Sequence, residues 1–195
     1  MPVVTALRER PRSRVAIELD GGPWRLVPAD VVVRAGLRVG APLDRETART
    51  LGRELRRAKA LGVATTALRY RDHSRRSLEE RLAGRGVAPA AGEAALAALE
   101  RAGLVDDGRV ASARAGTLAS RGYGDAAIRF DLERRGIAGE LVEAALGGLD
   151  PEPERARALV AKGGGGPAAA RRLAARGFDP GVLEDVLGSP FAADG

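Results

Sequence analysis

Arg85-Gly86-Val87, Arg135-Gly136-Ile137 and Arg176-Gly177-Phe178 state one phrase, Arg-Gly-apolar, three times in a chain of 195 residues. Leu82, Leu132 and Leu173 stand three residues before the Arg in each copy. Glu93, Glu143 and Glu184 stand seven after the Gly, and Leu96, Leu146 and Leu187 ten after it. Fixed spacing around a recurring phrase marks a tandem array of one small helical unit. Such arrays build binding surfaces more often than catalytic pockets.

The unit has a physical reading. Leu78 with Leu82, Ile128 with Leu132, and Ala169 with Leu173 are spaced to share one helix face. The Gly ends that helix, because a left-handed residue just past a helix costs little without a Cβ. The Arg before it stands at the negative end of the helix dipole. A second helix follows, carrying Ala95, Leu96 and Leu99 in the first copy, Leu141, Val142, Ala145 and Leu146 in the second, and Val182, Leu183, Val186 and Leu187 in the third. The shared Glu falls on this second helix. An ion pair with the Arg, solvation and partner contact are all open for it.

The N-terminal third has a different texture. Val3 to Leu7 alternates weakly, and Val15-Ala16-Ile17-Glu18-Leu19 and Trp24-Arg25-Leu26-Val27 read as strands around the turn Asp20-Gly21-Gly22-Pro23. A short helix is expected from Pro28 to Ala35, closed by Gly36. Asp44 is the expected N-cap of a helix from Arg45 towards Ala60. Trp24 is expected to anchor this module's core. The module is too small to stand alone, so it should lean on the helix that follows.

Between the first two phrases, Gly103 should end a helix, Leu104 and Val105 should plug the core, and Asp106 or Asp107 should cap the next helix. Arg121-Gly122-Tyr123-Gly124 reads as a tight turn. Lys162 followed by Gly163 to Gly166 lacks the Gly-Lys-Ser/Thr ending of a phosphate loop and reads as a turn.

Composition excludes several chemistries. The absence of cysteine removes disulfides, thiolate metal sites and thiol nucleophiles. A single histidine, His73, removes metal sites that need two imidazoles. No apolar run reaches membrane-spanning length, and Pro2-Val3-Val4 does not begin a signal peptide. The expectation is a soluble, cytoplasmic, monomeric protein with no cofactor, no metal and no catalysis of its own. Only Lys59 and Lys162 are lysines among 32 basic residues. This points to a GC-rich coding bias and weakens Arg abundance as a sign of nucleic-acid binding.

Charge distribution says more than its sum of +6. Residues 53–85 hold ten basic and four acidic side chains, residues 1–52 carry net +3, residues 86–150 carry net −3, and residues 151–195 are neutral. The basic cluster is Arg53, Arg56, Arg57, Lys59, Arg69, Arg71, Arg75, Arg76, Arg81 and Arg85. It suits phosphates or an acidic protein surface, or serves simply as a solvated face. Only Tyr70 lies inside it among aromatics, which argues against base stacking on single strands.

The chain resembles the RecX family, regulators of RecA recombinase. The resemblance lies in Ala67-Leu68-Arg69-Tyr70, in Ser74 to Gly86, in Leu99-Glu100-Arg101-Ala102-Gly103-Leu104-Val105-Asp106-Asp107, in Arg121-Gly122-Tyr123-Gly124, in Ile128-Arg129 and in Leu132-Glu133-Arg134-Arg135-Gly136-Ile137. It spans roughly residues 58–188, and the N-terminal module resembles the β-rich extension of some members. The family implies a mainly α fold, with three tandem three-helix repeats in an elongated, curved array behind a small β-rich module. The expected divisions are 1–57, 58–105, 106–149 and 150–188, with a tail at 189–195.

The family also implies binding in the groove of the RecA–DNA filament. That binding would modulate ATP hydrolysis, filament growth and strand exchange in recombination, DNA repair and the SOS response. The contact residues this implies are Arg69, Arg71, Arg75, Arg76, Arg81, Arg85, Arg121, Tyr123, Arg129 and Arg134, with single- or double-stranded DNA as a further partner. Departures from the family pattern are Val110 in place of Phe, Arg114 in place of Tyr, and Gly116, Leu118 and Ala126 where basic residues are common. They shift the expected contacts towards the first repeat. Two other classes stay open: a direct duplex-DNA binder of helix-turn-helix type, and a helical scaffold for an unrelated protein.

Overall fold

A computed structural model describes residues 1–188 of the chain, so the tail expected at 189–195 lies outside the described residues. The fold is mainly helical, with a three-stranded antiparallel sheet at the N-terminus. The chain divides into two compact units. One comprises Met1–Arg71 with Leu78–Leu104, and the other Asp72–Ser77 with the chain from Val105 onward.

In the first unit, strands β1 (Val4–Arg10), β2 (Arg14–Leu19) and β3 (Gly22–Pro28) form a meander in that order. Asp20 (φ 49°) and Gly21 (φ 81°) make the two-residue turn between β2 and β3, and Leu19 pairs with Gly22. Two left-handed residues in succession match the right-handed twist of the flanking strands. Val4, Val15, Ile17 and Val27 turn to one side and are buried with Val31, Val32 and Leu37. Helix α1 (Ala29–Arg34) supplies the two middle valines and ends at Gly36.

Trp24 does not anchor this core: it is 41% exposed, with the Arg25 guanidinium 5.4 Å from its ring centroid. The core-facing residue of β3 is Val27, whereas Trp24 is the extra residue where the register shifts, since Ile17 pairs with Arg25 and Glu18 with Pro23 and leaves Trp24 unpaired.

Asp44 caps α2 (Arg45–Leu68) by accepting the Thr47 N–H at 2.7 Å. Leu51 of α2 completes the sheet module's core, with Leu55 and Ala58 packed against it, so the module does lean on this helix. α2 runs eight residues past the expected end at Ala60, and the division expected at 57/58 falls inside it. The reason is packing. Ala60 and Ala64 are fully buried, Ala67 nearly so, and this stripe of small side chains lets α2 lie against α4 (Pro89–Arg101).

Helix α3 (Arg75–Gly84) precedes α4, and its first turn belongs to the second unit. There it is followed by α5 (Asp107–Ser120), α6 (Asp125–Arg134) and α7 (Gly139–Gly147), then α8 (Glu152–Gly163), α9 (Pro167–Ala174) and α10 (Pro180–Leu187). The core around α5 to α7 is built from Ala111, Ala115, Leu118, Ile128, Leu132, Ile137, Val142 and Ala145. A smaller cluster around α8 to α10 holds Ala156, Leu173, Phe178 and Leu183.

The three Arg-Gly turns share one geometry. Gly86, Gly136 and Gly177 have φ of 62°, 75° and 81°. The following N–H reaches back over the helix end in every copy: Val87 to Leu82 O, Ile137 to Leu132 O and Phe178 to Leu173 O, at 3.1, 3.2 and 3.3 Å. The side chains of Val87, Ile137 and Phe178 are buried. This is the Schellman termination with its hydrophobic contact. The same backbone pattern closes α4 at Gly103 and α5 at Gly122, but there the next residues, Leu104 and Tyr123, are 51% and 39% exposed. Leu104 therefore does not plug the core, while Val105 does.

In the second unit these turns also dock. Gly124 N–H donates to Arg176 O at 2.9 Å and Ala126 N–H to Gly177 O at 3.1 Å, so the third turn covers the first amides of α6. Glu152, buried at the start of α8, accepts the Asp125 N–H at 2.6 Å and the Asp179 N–H at 3.4 Å. The first turn of α3 is held in the same manner. Asp107 accepts the Arg75 N–H at 2.8 Å, and Ser74 Oγ donates to Arg135 O at 3.1 Å. Asp106 caps its own helix by accepting the Arg109 N–H. The two adjacent aspartates thus cap two different helices.

Gly177 sits so close to α6 that a Cβ there would strike the Ala127 backbone, whereas a Cβ at Gly103 would meet nothing. Both residues are left-handed. Gly103→Ala should therefore cost about 1 kcal/mol. Gly177→Ala should cost roughly 2–4 kcal/mol, because overpacking adds to the backbone strain. Urea denaturation of the two variants beside wild type measures the difference.

Candidate functional site

Cations of the first unit are arranged along α2 and around the turn that ends α3. Lys59 Nζ donates to Gly86 O at 2.9 Å. That bond places Lys59 at the turn that follows Arg85, and Arg53, Arg56 and Arg57 precede Lys59 on α2. Arg53 also donates to Thr50 Oγ1, one turn back on its own helix. Arg69 and Arg71 flank Tyr70 at the end of α2, and Tyr70 is 84% exposed. Arg69, Arg71, Arg81 and Arg85 are all exposed. None of these four guanidinium groups makes an ion pair or side-chain hydrogen bond among the described residues.

The second unit uses its arginines differently. Arg114 grips Asp131 with two bonds, Nε to Oδ2 at 2.9 Å and Nη2 to Oδ1 at 3.0 Å, and Arg135 Nε adds a third at 2.7 Å. These two guanidiniums hold the Asp131 carboxyl well below the usual carboxylate range. Arg129 pairs with Glu143 at 2.6 Å, joining α6 to α7. Arg155, nearly buried, pairs with Asp125 and donates to the carbonyls of Tyr123 and Asp150. Arg109 pairs with Asp72 at 3.3 Å.

The shared Glu of the second repeat therefore has Arg129 as its partner. The Arg of the Arg-Gly phrase, Arg135, turns to Asp131, one helical turn before it. Position 114, where the family pattern has Tyr, is occupied by a structural ion-pair arginine.

Among the ten expected contact residues, Arg69, Arg71, Arg81 and Arg85 lie in the first unit and the rest in the second. Arg75 and Arg76 lie in the first turn of α3, where the Arg76 side chain packs so close to Gly136 that a Cβ there would collide with it. Arg121 and Arg134 are exposed, with no side-chain partner among the described residues. Tyr123 presents its ring at the α5–α6 turn, and Arg129 is engaged by Glu143.

Sequence reasoning missed Phe130, which is 66% exposed on α6. Its signal was present, because a residue midway between buried Ile128 and Leu132 points away from the core. His73 is buried, with Nδ1 3.1 Å from Ser77 Oγ. Among the described residues, no group of acidic and imidazole side chains could hold a metal ion, and no helix is long and apolar enough to cross a membrane.

An N-terminal sheet followed by helices in threes, each triplet with an Arg-Gly turn between its second and third helices, is a helical-repeat architecture. Residues 106–146 match the family model described as RecX, second three-helix domain. A regulatory protein RecX of Xanthomonas axonopodis pv. citri (strain 306) is 35% identical over 146 residues, covering 70% of this chain and 90% of the relative. That of Stenotrophomonas maltophilia (strain R551-3) is 37% identical over 131 residues, covering 62% and 78%. The crystal structure of a regulatory protein RecX superposes with a TM-score of 0.82 at 22% identity, over 95% of this chain and 98% of that one. The RecX structure from Lactobacillus salivarius gives 0.61 at 18% identity, over 69% and 96%. The chain belongs to the RecX family of regulatory proteins.

The Asp131 cluster has a pH signature. Its carboxyl titrates lower when folded than the ordinary unfolded value of about 3.9, so its contribution is complete above that value and fades as pH falls below it. Asp131→Asn should cost about 1–2 kcal/mol at pH 7. The gap from wild type should narrow steadily below about pH 4, as followed by denaturation across pH.

Proposed function

We propose that this protein binds the RecA–DNA filament and modulates its ATP hydrolysis, with the cations of α2, Arg81 and Arg85 in contact with the filament. Family membership supports the partner. The observation that carries the surface is the division of labour among arginines. In the second unit Arg109, Arg114, Arg129, Arg135 and Arg155 are held in internal ion pairs. In the first unit Arg8 and Arg34 pair with Glu18 and Asp30, while Arg69, Arg71, Arg81 and Arg85 carry no such pair among the described residues, nor do Arg121 and Arg134 of the second unit. Exposed guanidiniums with no internal partner keep their donors for phosphates or carboxylates, and they steer association with a polyanion.

No catalytic step is assigned to the chain. Its effect on ATP hydrolysis follows from preferring one state of the filament, since a bound regulator shifts an equilibrium by its differential affinity for the two states.

Titration of the protein into RecA hydrolysing ATP on single-stranded DNA tests the reading. The rate should change in step with co-sedimentation of the protein with filaments. An unchanged rate without co-sedimentation would contradict it, and tight binding to bare DNA in place of filaments would favour a direct DNA binder. Reversal of Arg81 and Arg85 to Glu should weaken filament binding by about tenfold or more and flatten its salt dependence. Reversal of Arg171 and Arg172, in the neutral third repeat, should change it little.

A further inference from the structure

The β1–β2 hairpin gathers cations that its own fold leaves unpaired. Residues 8–14 read Arg-Glu-Arg-Pro-Arg-Ser-Arg. Val15 and Ile17 are buried, so Arg14, Ala16 and Glu18 line the opposite, open face of the sheet. On that face Arg8 stands opposite Ala16, and Arg10 stands opposite Arg14. Arg8 is held by Glu18 at 2.7 Å. Arg10, Arg12 and Arg14 are exposed and carry no ion pair among the described residues. Arg14 directs one N–H to the Leu26 carbonyl at 3.0 Å. Glu9, the one acidic residue of the stretch, is paired with Val15 and so lies on the other face.

Two features of this hairpin oppose its stability. Like charges directly opposite on neighbouring strands repel. Arg12 (φ 63°) and Ser13 (φ 52°) are both left-handed, a conformation that Gly and Asn adopt readily and Arg does not. The Ser13 carbonyl has a use there, since it accepts the Ala29 N–H at 2.9 Å at the start of α1. Arg12 makes no side-chain bond among the described residues. A coding bias towards Arg accounts for how many there are, but not for three without an ion pair around one strained turn. Strain of this kind collects at ligand-binding sites.

Exposed apolar surface lies on β3 near these cations. Leu26, opposite Ala16 on the open face, is exposed, and so is Trp24, where β3 bulges. A partner made of phosphates alone would leave both in water. A duplex turns its base faces inward. A single strand offers phosphates and unpaired base faces together.

We propose that the open face of the N-terminal sheet is a binding site for single-stranded nucleic acid, with Arg10, Arg12 and Arg14 on its phosphates and Leu26 and Trp24 against its bases. Guanidinium forks match phosphate oxygens in pairs. The site is built on other elements than the α2, Arg81 and Arg85 surface. It does not rest on the filament reading, because RecA takes no part in it.

Oligothymidylate titrated with the full chain at low salt, without RecA, tests the site. Binding is read by anisotropy of a labelled strand and by the emission of Trp24, the chain's one tryptophan. Anisotropy should rise and Trp24 emission should change in step. Arg10→Glu sets a carboxylate opposite Arg14, and Arg12→Gly relieves the left-handed residue. Both variants should melt at or above wild type. Arg10→Glu should bind about tenfold more weakly and Arg12→Gly about threefold, each with a shallower salt dependence. No binding by wild type, or wild-type affinity in both variants, overturns the proposal. Weakened binding with a lowered melting temperature in both would make the arginines structural and overturn it as well. An anisotropy rise with unchanged Trp24 emission places the strand elsewhere on the chain. Equal or tighter binding of a duplex, or of phosphatidylglycerol vesicles, contradicts the single-strand assignment.

Discussion

The first amides of a helix have no partner within the helix, and this protein uses that vacancy to join its repeats. At α6 the Asp125 N–H goes to Glu152, and those of Gly124 and Ala126 go to the carbonyls of Arg176 and Gly177. One helix start thus receives a carboxylate and a turn, both from the following repeat. A carboxylate there satisfies a donor and complements the positive end of the dipole together. Because Glu152 is buried, its charge is tolerable only while both capped amides stay in place. At α3 the Arg75 N–H likewise goes to the Asp107 carboxylate, while the Arg135 carbonyl accepts from the Ser74 hydroxyl. The corresponding start of α9 is Pro167, which has no N–H to satisfy.

This arrangement sets where charge is available. Acidic residues of the middle segment are engaged as caps and ion-pair partners: Asp106 and Asp107 cap helix starts, while Asp125, Asp131 and Glu143 bind arginines. Five of the ten acidic residues in 86–150 thus serve the fold. In the first unit Arg8 and Arg34 are paired, whereas Arg69, Arg71, Arg81 and Arg85 have no internal partner among the described residues and are exposed. A basic surface in one repeat and an ion-paired scaffold in the next follow from the same composition.

The Arg-Gly turns were legible in the sequence because a helix end is decided locally, by one residue that can be left-handed and an apolar residue that folds back. The Asp44 cap, the short helix ending at Gly36 and the Asp20-Gly21 turn were legible for the same reason. Trp24 was misread because its size suggests a core role, while the register shift that leaves it unpaired between Pro23 and Arg25 is set by the partner strand and not by its own sequence. The length of α2 was hidden because Ala60, Ala64 and Ala67 signal close packing only once α4 is known to lie against them. Glu152 gave no sign of its role, since the amides it caps lie 27 residues away in either direction along the chain.

The central claim is that amides at helix starts, satisfied by the following repeat, hold the array together. Amide hydrogen exchange measures this directly. In wild type the Asp125 and Asp179 amides should exchange slowly, close to the rate of the helix interiors around them. In Glu152→Ala both should lose protection together, with Gly124 and Ala126 following as the Arg176-Gly177 turn loosens, while the β1–β3 sheet is unchanged. Fast exchange at Asp125 in wild type, or protection that survives the loss of the Glu152 carboxylate, would contradict the account.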